Sequence, residues 1–280
     1  VAERPAYDTL STIAPSTIRL VWLLLVSRIR AQWQYRASFW ADVLGQATLV
    51  PLEFLEVYVL LHAAPIYGGM SLAQAAALYG MTSVAFGMAD LFFGQLDSVN
   101  RHIKRGTLEV ILTRPLSPLV QLITQDLQLR RLGRVVTGLV LYLVALGYAD
   151  VTWSVQNLAL AGLAPVGGFI IFGALFLFAS GTLFFVLDGN QAVNAFTYGG
   201  RYASSVPGSV LMTPVKVFFT FVVPSTLIAY VPTAVLTGAE LPAFWWPGLA
   251  WLTIPIGLAM WLLLLGYWKL ALRHYTGAGG

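Results

Sequence analysis

Residues 158–186 read LALAGLAPVGGFIIFGALFLFASGTLFFV, without one charged side chain. A helix needs roughly 20 mostly apolar residues to cross the hydrocarbon core of a bilayer, and this stretch exceeds that. Pro165, Gly167 and Gly168 near its start predict a tilt or a break. The rest of the chain has the same character: 58% of the 280 residues are hydrophobic and 10% are charged. A soluble domain carries about a quarter charged residues, so this chain cannot solvate a globule of its size. Composition excludes a soluble enzyme, a nucleic-acid-binding domain and a disordered adaptor. It predicts an all-α membrane protein with one transmembrane domain.

Working outward, five more apolar segments are long enough to cross. Span 1 runs from about Ala37 to Leu61, span 2 from Leu72 to Phe93 and span 3 from Leu132 to Tyr148. The quoted stretch is span 4. Span 5 runs from about Met212 to Leu236 and span 6 from Pro247 to Tyr267. All 16 Lys and Arg residues fall on one side of this arrangement. The amino-terminal arm has Arg4, Arg19, Arg28, Arg30 and Arg36. The span 2–3 loop has Arg101, Lys104, Arg105, Arg114, Arg130, Arg131 and Arg134. The span 4–5 loop has Arg201 and Lys216, and the tail has Lys269 and Arg273. The opposite loops hold Asp150 and Glu240. The positive-inside rule puts both termini in the cytoplasm, which an even number of spans requires. Trp153, Trp245, Trp246 and Trp251 are expected in the outer interfacial belt, and Trp22, Trp33, Trp40 and Trp268 in the inner one. Trp261 falls within span 6 and has no such reading.

Ahead of span 1, Trp22, Leu25, Val26, Ile29 and Trp33 share one helical face, with Ser27, Arg28, Arg30 and Gln34 on the other. That predicts an amphipathic helix over residues 16–36, lying in the cytoplasmic interface behind a 1–15 tail. The apolar run Leu20–Val26 lacks a cleavage site and is not a signal peptide. Residues 37–270 then form the transmembrane domain and 271–280 a cytoplasmic tail.

Catalytic signatures are missing. The three lysines are followed by Arg105, Val217 and Leu270, so no phosphate-cradling Gly-Lys-Ser/Thr loop exists. There is no cysteine, and His62, His102 and His274 fit no metal-ligand spacing. Four carboxylates fall within spans, where each costs about 2.5–3.5 kcal/mol at a helix centre. Asp42 and Asp90 lie near cytoplasmic ends, within reach of water or Arg. Glu53 and Glu56 lie deeper, three apart on one face beside Pro51. They suit a cation or proton site of a secondary transporter, a polar cavity or a bond to a neighbouring helix; no Lys, Arg or His inside a span is there to complete a relay. Gly80, Gly87 and Gly94 recur at seven-residue spacing and would let another helix approach span 2 closely. The loop 95–134 is the longest polar segment, with seven cations. In it Gly106 breaks one helix, Thr107 can cap the next with Glu109 in its first turn, Pro115 and Pro118 punctuate, and 119–132 is amphipathic.

That loop also carries a resemblance. Ile103-Lys104-Arg105-Gly106-Thr107-Leu108-Glu109, continuing through Leu112-Thr113-Arg114-Pro115-Leu116-Ser117-Pro118, resembles the signature of ABC-2-type transporter permeases in place and wording. Arg201-Tyr202, Phe221-Val222-Val223-Pro224 and Ala229-Tyr230-Val231-Pro232 are similar to the bacterial branch whose permeases occur in adjacent pairs with a separate ATPase. The resemblance covers about 19–273. It implies a type V exporter-like permease of the bacterial cytoplasmic membrane: six spans, a connecting (elbow) helix at 17–36 and short re-entrant helices at 238–251. A second permease, identical or homologous, and two copies of a cytoplasmic ATPase, which bind the ATP and Mg, would complete it among membrane lipids. The span 2–3 loop would be the coupling element, with Arg101, Lys104, Arg105 and Arg114 at its rim, Leu108 and Ile111 as the apolar anchor, and Gly106, Thr107, Glu109 and Pro115 shaping it. A pathway between two permeases would draw on Glu53, Glu56, Tyr79, Met81, Phe86, Asp90, Phe92, Phe218, Phe219 and Phe221, an aromatic and Met lining suited to an amphipathic, lipid-like, glycan or drug-like substrate. A proton- or cation-coupled transporter built on Glu53 and Glu56, or a scaffold that transports nothing, are the rival readings.

Overall fold

The computed structural model describes residues 15–63, 68–186 and 190–275. Most of the two expected tails, 1–14 and 276–280, lies outside them. The described residues form helices and no strand: α1 Pro15–Gln34, α2 Arg36–Ala63, α3 Leu72–Phe93, α4 Val99–Lys104, α5 Thr107–Leu112, α6 Pro118–Gln125, α7 Leu132–Tyr148, α8 Val155–Thr182, α9 Asn190–Ser204, α10 Thr213–Val217, α11 Ser225–Ile228, α12 Tyr230–Thr237 and α13 Thr253–Arg273. Span 2 and span 3 match α3 and α7 residue for residue. Among the described residues, Leu72–Lys104, Val155–Thr182 and Thr253–Arg273 are long and apolar enough to cross a membrane, and a bent pair at 213–237 would make a fourth.

The helix starts follow from local chemistry. Ser71 opens α3 with a capping box: its hydroxyl accepts from the Gln74 amide, and the Ser71 N–H donates to Gln74 Oε1 at 2.9 Å. Both bonds satisfy donors that a helix start leaves unpaired. Ser154 caps α8 by accepting from the Asn157 amide at 3.2 Å. Pro165 sits inside α8 without ending it, so the expected break is not there.

The centre of the molecule is α3, buried along almost its whole length. Gly80 and Gly87 on α3 face α7, and Gly94, the residue after α3, faces Arg131 just ahead of α7. A Cβ on Gly80 would lie 2.6 Å from the Tyr142 amide nitrogen, one on Gly87 2.9 Å from Val135 Cγ2, and one on Gly94 2.1 Å from the Arg131 guanidinium. The α3 numbers rise as the α7 numbers fall, so the two helices run antiparallel with their backbones nearly touching. Gly138 on α7 returns the fit against Ser83 and Val84. On the opposite flank, α8 and α13 run parallel: Gly167 meets Thr253, Gly173 meets Trp261 and Gly181 meets Tyr267. Trp261, unexplained as an interfacial residue, packs on Phe93 and donates from Nε1 to the Ile170 carbonyl at 2.9 Å, so its polar atom is satisfied inside the bundle.

Two sequence expectations fail here. The segment 190–210 is not a simple loop. Tyr198 on α9 donates to Asp97, just past the carboxy-terminal end of α3. Ser204 accepts through its carbonyl from Thr82, in the middle of α3. Ser209 donates to the Gly68 carbonyl, before the amino-terminal end of α3. This segment therefore travels the whole length of α3, antiparallel to it, and Arg201 sits partway along instead of in a loop beside 95–134. Lys216 lies at the far end, its Nζ 5.2 Å from the centre of the Trp245 ring.

Span 5 is the second: it is bent and not one straight helix. The stretch 213–222, α-helical and then π-helical, meets 225–237 at an angle of 67°. Pro224 at the junction cannot donate to a helix ladder. Thr213 follows Ser209 by four residues, while Thr237 accepts through its carbonyl from Gln74 at the start of α3. Both ends of 213–237 thus lie at the same end of α3. The following segment, 238–251, holds one short 3₁₀ helix, Pro247–Trp251, and no α-helix. Trp245 within it is 2% exposed, packed on Tyr230 and donating to Thr220, and Trp268 is 3% exposed against Phe184. These two are core residues and not part of an interfacial belt.

Candidate functional site

The loop 95–134 is compact. Gly106 adopts φ +67° between α4 and α5, the left-handed conformation that glycine reaches at no steric cost. Thr107 does not cap α5. Gly106 holds the cap position, and the Thr107 hydroxyl turns back to His102 Nδ1 at 2.9 Å. Glu109 lies in the first turn of α5, where the helix dipole favours it. Replacing Gly106 with Ala is expected to cost about 1 kcal/mol, because a Cβ is disfavoured in this conformation. Thermal unfolding of the purified chain would register it as a lowered midpoint.

Leu108 and Ile111 cannot serve as a free docking anchor. They are 0% and 6% exposed and belong to the chain's own core. Gln121 holds them in place from α6 by donating to the Ile111 and Leu116 carbonyls at 2.9 and 2.8 Å. From α4 to the end of the turn after α5, the exposed residues are Arg101, Lys104, Arg105, Thr107, Glu109, Val110, Thr113, Arg114 and Pro115. Val110, 55% exposed, is the apolar residue that α5 presents outward.

The loop is anchored from two directions. Gln32 of α1 donates to the Leu127 carbonyl and accepts from the Leu129 amide at 2.9 Å. Arg131 pairs with Asp90 at 3.1 Å and also reaches the Asp90 carbonyl and Gln95. Asp90 is thus a structural partner of Arg131 and lines no opening. Sequence reasoning anticipated an Arg near Asp90; it gave no hint of Gln32, a neutral residue whose only mark is its position on the polar side of α1.

A second cluster lies deeper. Glu53 of α2 accepts from the Tyr79 hydroxyl and from Arg201 Nη2, and its other oxygen faces Arg134 Nη2 at 3.7 Å. The Arg201 guanidinium also lies over Phe86, 5.3 Å from the ring centre, a cation–π contact. Four elements, α2, α3, α7 and α9, converge here. Glu53 and Glu56 do not act as a facing pair: Glu56 is exposed and makes none of these contacts. The expectation that no Lys, Arg or His is placed to join Glu53 in a relay is at odds with Arg134 and Arg201, which both reach its carboxylate. Both were read as loop charges because each sits where a polar segment meets an apolar one.

The remaining pathway candidates divide. Tyr79, Met81 and Phe86 are 4%, 0% and 0% exposed and pack the α3 core, Phe86 against Phe172 and Phe176. They line no open surface. Phe92 is exposed beside Phe169. Phe218 and Phe219 are half-buried against each other, and Phe221 is exposed beside Phe244 on the bent segment.

Residues 48–279 match a family model described as ABC-2 family transporter protein. No curated protein and no solved structure matches the chain.

Proposed function

Because the chain belongs to the ABC-2 transporter family, a family of membrane transport components, we propose that it is the permease subunit of an ATP-driven exporter, coupled through the loop 95–134 to a separate cytoplasmic ATPase. The observation that carries the coupling is the α4–Gly106–α5 hairpin. It presents Arg101, Lys104 and Arg105 outward while its apolar side packs on α6 and on the turn 94–98 that continues α3. Cations displayed on a rigid element suit an acidic partner surface, and a push on a rigid element moves the helices it is fixed to. ATP and Mg belong to that partner, as this chain has no phosphate-binding loop.

The six crossings in this reading are α2, α3, α7, α8, the segment 190–210 and α13, with 213–237 entering and leaving on the outer side. Parity keeps both termini cytoplasmic. Arg201 and Lys216 leave the cytoplasmic count, and the remaining cations still follow the positive-inside rule. The exposed apolar side chains of α1, among them Trp22 and Trp33, suit an elbow helix in the inner interface. A second permease, the same chain or a homologue, would face the exposed side of α2 and complete the pathway.

The test is co-purification from the native host in mild detergent, with mass spectrometry and an ATP hydrolysis assay. A P-loop ATPase is expected with the native chain. Changing Arg101, Lys104 and Arg105 to Glu is expected to remove it, while the thermal midpoint stays near that of the native chain, since exposed substitutions usually act within about 0.5 kcal/mol. Absence of any ATPase from preparations that retain other membrane complexes would overturn the reading.

A further inference from the structure

The cluster around Glu53 has one anion and two cations. With Glu53 ionised, Arg134 and Arg201 leave it a net positive charge, and the Tyr79 hydroxyl adds a donor and no charge. Unbalanced charge within a membrane-spanning layer is costly and marks function. Of the other nearby carboxylates, Asp90 pairs with Arg131, Asp97 accepts from the neutral Tyr198 hydroxyl and Glu56 is exposed, and among the described residues none of the three forms an ion pair with Arg134 or Arg201. The two arginines are not equivalent. Arg201 is committed, bonded to Glu53 Oε2 and laid over Phe86. Arg134 stands 3.7 Å from Glu53 Oε1, outside hydrogen-bond range. The Nε atoms of both arginines are buried and, among the described residues, have no hydrogen-bond partner. Glu53 itself is one-third exposed, so the cluster is reachable from the open side of α2.

We infer that this cluster binds an oxyanion, a phosphate or carboxylate group of the transported molecule, with Arg134 as the receiving guanidinium and the Glu53–Arg201 pair holding the site in shape. A guanidinium fork matches two oxygens of such a group better than any other side chain does. Glu53 has a second role. A site that held two unopposed arginines would keep its anion; a resident carboxylate beside them weakens the hold, and transport requires release as well as capture. Arg134 is the third residue of α7, close to the loop 95–134, so an anion arrives from that end. Leu52, Leu55 and Val59 on the exposed side of α2 offer apolar surface alongside. The substrate class this selects is an anionic amphiphile.

The word "transported" rests on the permease reading; the binding does not, and its test needs no ATPase. The full chain in dodecyl maltoside would be titrated with dihexanoyl phosphatidylglycerol, with dihexanoylglycerol, which lacks the phosphate, and with inorganic phosphate, following the thermal midpoint. The phosphatidylglycerol is expected to bind at least about tenfold more tightly than the dihexanoylglycerol, the ratio that one charge-assisted hydrogen bond supports. Arg134→Gln, which leaves Glu53 its close pair with Arg201, is expected to abolish that preference. Glu53→Gln, which removes the competing anion, is expected to strengthen phosphatidylglycerol binding. A purely structural cluster would not move the two variants in opposite directions. Competition by inorganic phosphate would identify the headgroup oxyanion as sufficient; its failure to compete would show that the site also requires the acyl part, and both agree with an amphiphile. Equal affinity of the native chain for the two lipids would overturn the inference without any variant, as would parallel shifts in Arg134→Gln and Glu53→Gln. Success here without an ATPase partner would leave an anion-binding membrane protein, and the converse a permease for another substrate.

Discussion

Gly80→Val is expected to leave little folded chain in the membrane. The Cβ alone would stand 2.6 and 2.7 Å from the Tyr142 nitrogen and Cα, and 2.9 Å from its Cβ. Backbone atoms have no rotamer to move into, so α3 and α7 would have to separate. Gly87 and Gly138 are fitted along the same seam. Overpacking a core typically costs about 1–3 kcal/mol. Here the cost belongs at or beyond the upper end of that range, because separation also strips contacts from Gly138 and Ser83. A membrane bundle gains little from hiding apolar side chains from lipid, so close packing of this kind carries much of its cohesion. Gly147→Ala is the matched control. Nothing lies within 4 Å of a Cβ there, and a helical Gly→Ala change is worth about 0.5–1 kcal/mol in favour of the variant. Size-exclusion chromatography of a fluorescently tagged chain would read both. A monodisperse Gly80→Val variant with a native midpoint would refute the packing argument.

The same seam shows what the sequence makes legible. The spacing of Gly80, Gly87 and Gly94 identifies a close-packed face from residue order alone, and the bounds of α3 and α7 follow from hydropathy because both are apolar throughout. Hydropathy fails at α9. Asn190, Gln191, Asn194, Tyr198 and Arg201 give it the composition of a loop, although Tyr198 and Arg201 spend their polarity on Asp97 and Glu53 within the fold. A length scan passes over it to the next apolar run, 212–236, which Pro224 and a π-helical turn prevent from being straight. Internal pairing of polar groups hides one element, and a break in an apolar run disguises another. The loop errs for a related reason. Leu108 and Ile111 look like docking residues because the segment around them is polar, yet their own α6 covers them. A local pattern records that a side chain is apolar; it does not record which surface buries it.

Asp90→Ala should be among the most damaging single changes outside the glycine seam. Asp90 and Arg131 are 12% and 16% exposed at their side chains. Removing one member of a buried ion pair costs about 3–5 kcal/mol, because the survivor keeps its charge without its partner. Arg131 retains the Asp90 carbonyl and Gln95, which softens the loss toward about 3 kcal/mol. Arg131→Ala should cost a similar amount, since it strands the Asp90 carboxylate. The double variant should fall short of the summed effects by 1 kcal/mol or more, roughly the coupling found for residues in one network. Arg130→Ala, an exposed neighbour bonded only to Gln128 among the described residues, should change stability by no more than about 0.5 kcal/mol. Thermal or denaturant unfolding of the four variants would measure the cycle, and strict additivity would sink the claim that this pair acts as one unit. The pair joins the end of α3 to the start of α7 beneath the loop 95–134. A loop pushed by a partner moves α3 and α7 together only while that joint holds. In the proposed complex with an ATPase, Asp90→Ala should therefore reduce transport per ATP hydrolysed more than it reduces ATPase binding, because the exposed face of the hairpin is left unchanged.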